Sequence, residues 1–264
     1  MPIKVLVSGT GAMGREVLAA VCREPDLEPV AVLSRSAAEE YLSLPDGSGL
    51  VPFGAEPGPL FSRTRPHVVV DFTNAECTPT VAREALEAGA RLVSGTSGLS
   101  EAFLRELERE CRERQIGAVV APNFAIGAVL MIHLAKIASR FFPSAEIVER
   151  HHDQKVDAPS GTAISTARSM AAAREGPFRQ PATERETVPG SRGASLDGIA
   201  IHSVRLPGLM AHQEVILGGP GQTLTIRHDS LSRESFIPGV LLSIREVMSR
   251  KELVVGLERL IGLE

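Results

Sequence analysis

Short apolar, β-branched runs alternate with stretches whose apolar residues recur every three or four positions, and this rhythm predicts the first half of the chain. Ile3-Lys-Val-Leu-Val-Ser8 predicts a buried strand, and Arg15–Glu24 predicts a helix that stops before Pro25. Further strands are predicted at Pro29-Val-Ala-Val-Leu33, His67–Thr73, Arg91–Ser94 and Ile116–Ala121. Helices are predicted between them at Pro79–Gly89 and Leu104–Arg114. The second helix carries charges at i,i+4 spacing, the mark of a solvated face. The segment from Ser43 to Gly58 is rich in Gly, Pro and Ser and reads as an irregular surface excursion. Strands that are apolar along their whole length and alternate with helices predict a doubly wound parallel sheet.

The rhythm then changes. Gly127–Arg140 predicts a helix, Ala145–Glu149 a strand and Ala163–Ala173 an alanine-rich helix. A polar loop follows over about Glu175–Gly198. Ile199–Arg205, His212–Leu217 and Gln222–His228 read as strands, and the Gly/Pro turns between them predict antiparallel hairpins. Phe236–Arg250 and Leu253–Ile261 read as helices returning to the first domain. The fold class is therefore α/β, a Rossmann-like doubly wound parallel sheet with an inserted α+β domain. Residues 1–122 with 233–264 form the dinucleotide-binding domain, and 123–232 form the insert.

Composition narrows the function. A net charge of −4 and the lack of a long Lys/Arg run give no reason to expect nucleic acid or an anionic membrane as partner. No apolar run reaches bilayer length, and the chain opens directly on a strand-like run, so a cytoplasmic protein without a signal peptide is expected. Three cysteines, Cys22, Cys77 and Cys111, lie far apart with no zinc spacing, and read as free thiols in a reducing compartment.

Two stretches carry chemistry. Gly9-Thr10-Gly11-Ala12-Met13-Gly14 follows a strand and opens a helix, the context in which G-x-G-x-x-G binds a dinucleotide. Its glycines serve a tight turn, backbone approach to a pyrophosphate, and close helix–strand packing. The second strand ends in Ser34-Arg35 where an acidic ribose ligand is usual, and Glu39-Glu40 lie too far along to replace it. A hydroxyl beside a guanidinium suits a 2′-phosphate, so NADPH is expected over NADH, with both usable. Asp71-Phe72-Thr73 and Gly95-Thr96-Ser97-Gly98 stand at the carboxyl ends of later strands, where open α/β sheets bind ligands.

The second stretch is Glu149-Arg-His-His-Asp-Gln-Lys-Val-Asp-Ala-Pro-Ser-Gly-Thr162. Imidazoles, an ammonium and a helix start in one segment suit a carboxylate-bearing substrate that must also receive a proton. A solvated loop with a capped helix is the plainer reading of the same residues. Adjacent histidines point apart and have no third ligand at suitable spacing, so no metal is expected. A semialdehyde dehydrogenase and a non-catalytic nucleotide sensor are the rival functions. Neither would need a His-His-x-x-Lys segment before a Ser-Gly-Thr helix start.

These motifs, with Ala121-Pro122-Asn123-Phe124, His202 and His228-Asp-Ser-Leu-Ser-Arg233, stand in the order found in 4-hydroxy-tetrahydrodipicolinate reductases, and the sequence resembles that family over most of its length. It departs in a glycine loop one residue shorter than the commoner form and in Ser34. The resemblance implies NAD(P)H-dependent reduction of a cyclic imine dicarboxylate in the diaminopimelate route to lysine. His151 would be the proton donor/acceptor and Lys155 the proton-donating amine. His152, Gly161 and Thr162 would bind substrate carboxylate. Cofactor contacts would fall on Ser8 and the loop from Gly9 to Gly14, on Ser34-Arg35, on Gly95, Thr96 and Ser97, and on Ala121 to Phe124. It also implies a homotetramer joined through the inserts and a cleft hinged near Asn123-Phe124 and Asp229–Glu234.

Overall fold

The computed structural model describes residues 1–263. In chain order its first part runs β1 (Ile3–Ser8), α1 (Ala12–Arg23), β2 (Leu27–Leu33), β3 (Tyr41–Ser43), β4 (Leu50–Gly54), α2 (Pro57–Thr64), β5 (Val68–Asp71), α3 (Thr78–Glu87), β6 (Arg91–Ser94), α4 (Glu101–Arg114) and β7 (Ala118–Val120). The middle part holds α5 (Ile126–Ala138), β8 (Ser144–His151), α6 (Gly161–Ala172), β9 (Ala194–Leu196), β10 (Ile199–Arg205), β11 (Ala211–Gly219) and β12 (Gln222–Ser230). The chain closes with α7 (Ile237–Glu246), β13 (Leu253–Val255) and α8 (Leu257–Leu260). It forms two compact units, Met1–Ile126 with the segment from Arg233 onward, and Gly127–Ser232. Among the described residues, no helix is long and apolar enough to cross a membrane.

The first unit is built on an eight-stranded sheet in the order β13-β7-β6-β5-β1-β2-β4-β3. Every pairing in it is parallel except β3 with β4. Val5, Leu6, Val7, Val68, Val69 and Val70 are wholly buried, as continuously apolar strands demand when helices cover both faces. The chain moves from β1 outward to β2 and β4, then returns to β5 on the other side of β1. The strand order thus reverses at β1/β5, and a ligand crevice is expected outside the carboxyl ends of those two strands.

The second unit is a five-stranded sheet, β12-β11-β8-β10-β9. Ala145, Ile147 and Glu149 of β8 are buried at alternate positions. Ala145 and Ile147 join Val215 and Leu217 of β11, Met131 of α5, and Ala163, Ala167 and Met170 of α6 in one core. The opposite face carries Glu146, Val148 and Arg150, with Arg150 3.4 Å from Glu214 and His202 Nε2 2.8 Å from Glu146 Oε2.

Three expectations are corrected. Ser43–Gly58 is not irregular: β4 adds to the sheet beside β2, β3 pairs antiparallel with it, and α2 begins at Pro57. Turn-forming residues dominate that composition and mask a five-residue strand, of which only Val51 is buried. Leu253-Val-Val255 is not helical but the parallel edge strand β13, because the open side of β7 accepts it. Its β-branched pair suits a strand. Of the two expected hairpins only β11–β12 forms. β10 instead runs parallel to β8, which lies between it and β11, and its antiparallel partner is β9 from within the expected loop.

Candidate active site

In the first unit, α1 begins at Ala12, inside the glycine motif, so Gly14 lies in the first turn of the helix. A Cβ on Gly14 would stand 1.9 Å from the Gly9 carbonyl oxygen, so helix and strand could not meet this closely with any other residue. Gly9 has φ +104°, and a Cβ there would lie 2.8 Å from the Phe72 carbonyl oxygen. A Cβ on Gly11 would meet nothing within 4 Å. The space beside the Gly11 backbone is therefore open. Gly11 caps α1 without a side-chain hydrogen bond, and the first turn holds no acidic residue. The first N–H groups of the helix are left for an anion, so these residues fit a dinucleotide pyrophosphate.

Ser34, just past β2, is linked to the glycine loop: its Oγ lies 2.9 Å from Thr10 Oγ1 and 3.0 Å from Ser36 Oγ. Arg35 is 71% exposed and 3.9 Å from Glu76, an ion pair too solvated to fix it. The guanidinium is free to turn toward a 2′-phosphate. Ser36 joins this corner without having been singled out in the sequence.

Along the sheet crest, the Gly95 N–H donates to the Asp71 carbonyl at 2.9 Å and the Ala121 N–H donates to the Ser94 carbonyl at 3.0 Å. These bonds align the Gly95–Ser97 and Ala121–Phe124 segments side by side. Asn123 Oδ1 accepts from the Ala125 N–H at 2.9 Å and shapes the turn that carries Pro122 and Asn123. A Cβ on Gly95 would overlap the Phe72 ring, which is tilted against Phe124 with centroids 5.7 Å apart. Phe72 thus belongs to this wall. Its position beyond the end of β5 gave the sequence-level signal, but the ring contact did not show there.

In the second unit, His151 is the last residue of β8 and His152 the next one along, both half-buried. The alternation that buries Ala145 and Ile147 also buries Glu149, a charged residue at a core position. Glu149 Oε2 lies 2.5 Å from His151 Nδ1. Arg205, at the end of β10, grips the same carboxylate with both terminal nitrogens, at 2.8 and 2.7 Å. The Ser160 N–H donates to Glu149 Oε1 at 3.2 Å. Burial opposes the charged form of Glu149, but bonds from His151, Arg205 and Ser203 outweigh it and hold the carboxyl down at about 2. The carboxylate of Glu149 therefore orients His151 through Nδ1 and leaves Nε2 unengaged by that carboxylate.

Arg205 also donates to the Asp157 carbonyl at 2.7 Å, tying the loop after β8 to the same buried group. On that loop Lys155 Nζ lies 2.5 Å from Asp157 Oδ1, with the lysine side chain 22% exposed. The Lys155 bond to Asp157 in turn lowers the carboxyl of Asp157 below its ordinary value. Ser160 caps α6 by accepting from the Ala163 N–H at 3.2 Å. Gly161 and Thr162 form the start of that helix, whose first turn has no acidic residue, and a Cβ on Gly161 would meet nothing within 4 Å. This is an open helix N-terminus suited to a carboxylate. Glu149 and Arg205 were missed in the sequence as site residues. The period of two along β8 could have found Glu149, but Arg205 is 56 residues away and comes in only through the β8–β10 pairing.

Residues 3–124 match the family description "Dihydrodipicolinate reductase, N-terminus" and residues 127–261 match its C-terminal counterpart. The chain belongs to the dihydrodipicolinate reductase family. Among its relatives, the 4-hydroxy-tetrahydrodipicolinate reductase of Dehalococcoides mccartyi (strain ATCC BAA-2100 / JCM 16839 / KCTC 5957 / BAV1) is 49% identical, with 99% of each chain covered. That of Moorella thermoacetica is also 49% identical, over 98% of each. A dipicolinate-bound dihydrodipicolinate reductase from Paenisporosarcina sp. TG-14 superposes with a TM-score of 0.88 at 44% identity, covering 98% of this chain and 99% of that one. Amine dehydrogenase from Mycobacterium smegmatis, at 14% identity and a TM-score of 0.70, shares the fold alone. As a member of the dihydrodipicolinate reductase family, the protein is an oxidoreductase with a nicotinamide cofactor on a Rossmann-type unit.

Cys111, on the inner face of α4, is buried in the core, and burial pushes its thiol up to about 12, which leaves it inert.

Proposed function

We propose that the protein reduces 4-hydroxy-tetrahydrodipicolinate to tetrahydrodipicolinate in the diaminopimelate route to lysine, with NADPH preferred and NADH usable. One observation carries the substrate side: a single segment of the second unit offers an oriented imidazole, an ammonium and an open helix N-terminus. The printed names of the full-length relatives support the substrate, and the dipicolinate of the Paenisporosarcina protein is a ring bearing two carboxylates, as this substrate is.

When bound, reduced nicotinamide supplies a hydride for a ring carbon conjugated with the imine. Overall one hydride and one proton are added and one water leaves. Negative charge builds toward the ring nitrogen as hydride arrives, and a general acid must meet it. Lys155 holds an ammonium proton on Nζ. His151, fixed through Nδ1 by Glu149, presents Nε2 as the second exchangeable position. The N–H groups of Gly161 and Thr162, with His152, hold a carboxylate and fix the ring for transfer. In the first unit, the loop from Gly9 to Gly14 holds the pyrophosphate, while Ser8, wholly buried with its hydroxyl on Asp71, supports that loop without touching the ligand. Ser34 and Arg35 receive the 2′-phosphate, and Gly95, Thr96, Ser97 and Ala121 to Phe124 flank the nicotinamide. The 127–232 unit carries the substrate groups and joins four chains into a homotetramer, which sedimentation at micromolar concentration tests; a monomer there contradicts it.

Steady-state kinetics on enzymatically generated substrate tests the function. Oxidation of NADPH dependent on that substrate is expected, and no oxidation of either cofactor would refute it. In the same assay Arg35→Ala is expected to raise KM for NADPH about tenfold, the scale of one charge-assisted bond, and to leave NADH unaffected. Equal loss with both cofactors would remove Arg35 from the 2′-phosphate site.

A further inference from the structure

Asp71 ends β5 at the strand reversal and is completely buried. Five hydroxyl groups donate to its carboxylate. Ser8 Oγ and Thr73 Oγ1 reach Oδ1, each at 2.8 Å. Thr78, Thr96 and Ser94 reach Oδ2 at 2.6, 3.2 and 3.3 Å. The register explains the gathering, since Ser8, Asp71 and Ser94 are direct neighbours across β1, β5 and β6. Thr78 comes from the first turn of α3, and Thr96 from the turn after β6. A carboxylate only accepts, and every partner here can donate. Among the described residues no Lys, Arg or His pairs with it.

This differs from the treatment of Glu149, which meets a guanidinium and an imidazole. Hydroxyl dipoles and the positive end of α3 solvate Asp71 but cannot cancel its charge. One net negative charge therefore sits at the carboxyl ends of the central strands, directly under the Gly95–Ser97 turn and beside Phe72. Buried sites screen such a charge poorly.

We propose that Asp71 is an electrostatic residue of the reaction: its unneutralised charge favours the oxidised, cationic nicotinamide over the reduced, neutral one and so promotes hydride release. The proposal rests on the reading that this crest holds the nicotinamide. As hydride departs, positive charge grows on the ring, and a fixed negative charge beneath it stabilises that change without reorganisation.

The test titrates NADP+ and NADPH separately onto the full chain. Asp71→Asn removes the charge and keeps the shape. Thr73→Lys keeps the carboxylate and pairs it with a cation, so it decides the matter if Asp71→Asn does not fold. In each variant the ratio Kd(NADP+)/Kd(NADPH) is expected to rise about tenfold. Ser94→Ala removes a hydroxyl but no charge, and the ratio is expected to hold. A purely structural Asp71 would weaken both forms alike, and an unchanged ratio in Asp71→Asn and Thr73→Lys overturns the proposal. So does an equal rise in Ser94→Ala. If neither cofactor form bound the wild-type chain, the cofactor reading would fail first and take this proposal with it.

Discussion

Replacing Lys155 by alanine is expected to lower kcat by about 10²–10⁴-fold, the range for loss of a general acid, while NADPH affinity stays unchanged. Lys155 belongs to the 127–232 unit, and the glycine loop proposed to hold the pyrophosphate belongs to the other. Its contact in the fold is Asp157, which is half exposed, so the lost ion pair costs little stability. Fluorescence titration of NADPH beside steady-state kinetics separates the two effects. Turnover within a factor of two of wild type would remove Lys155 from the chemistry, and a matching loss of NADPH affinity would make its role one of binding. Lys155→Met preserves most of the side-chain volume and should behave as Lys155→Ala does, because the proton and not the bulk is what matters.

Elements whose signal is local are legible in the sequence. The β1–glycine loop–α1 unit is an example, because a strand, a special-φ turn and a helix follow each other within 20 or so residues and each constrains its neighbour. The segment proposed to hold substrate stood out in the sequence for the same reason: His151, Lys155 and the Ser160 cap lie within ten residues of one another. Pairing between distant strands did not. Nothing local tells β10 to lie parallel to β8 rather than against β11, since a Pro-Gly turn permits a hairpin without requiring one. Leu253–Val255 could follow either period, and the vacant edge of β7 decides it. Both buried carboxylates escaped as networks for this reason. Asp71 collects hydroxyls from Ser8 to Thr96, and Glu149 collects an arginine from β10. What the sequence showed in each case was a charge at a position whose period demands burial, and that alone marks a residue whose partners must come from elsewhere in the chain.

Glu149→Gln is expected to reduce kcat about 10–100-fold, the scale for loss of a partner that orients a functional imidazole, and to cost about 3–5 kcal/mol of stability. An amide offers one acceptor oxygen where Arg205 and His151 together use two, and its NH2 group opposes the guanidinium. Two effects are therefore mixed, and Arg205→Met made together with Glu149→Gln separates them. Removing both charges relieves the unpaired guanidinium, so stability should largely return, whereas His151 still lacks its anionic partner and kcat should stay low. Recovery of kcat along with stability would reduce Glu149 to a structural role. The pH dependence gives a second check. Glu149 falls from 4.5 in the unfolded chain to about 2 in the fold, a depressed value. Its ionised form therefore contributes stability that is complete above about 4.5 and drains away as pH falls toward about 2. The stability gap between wild type and Glu149→Gln should hold constant from neutrality down to that upper value, then narrow. A gap that stays the same across this window would mean that the carboxylate is not the group whose charge the fold protects.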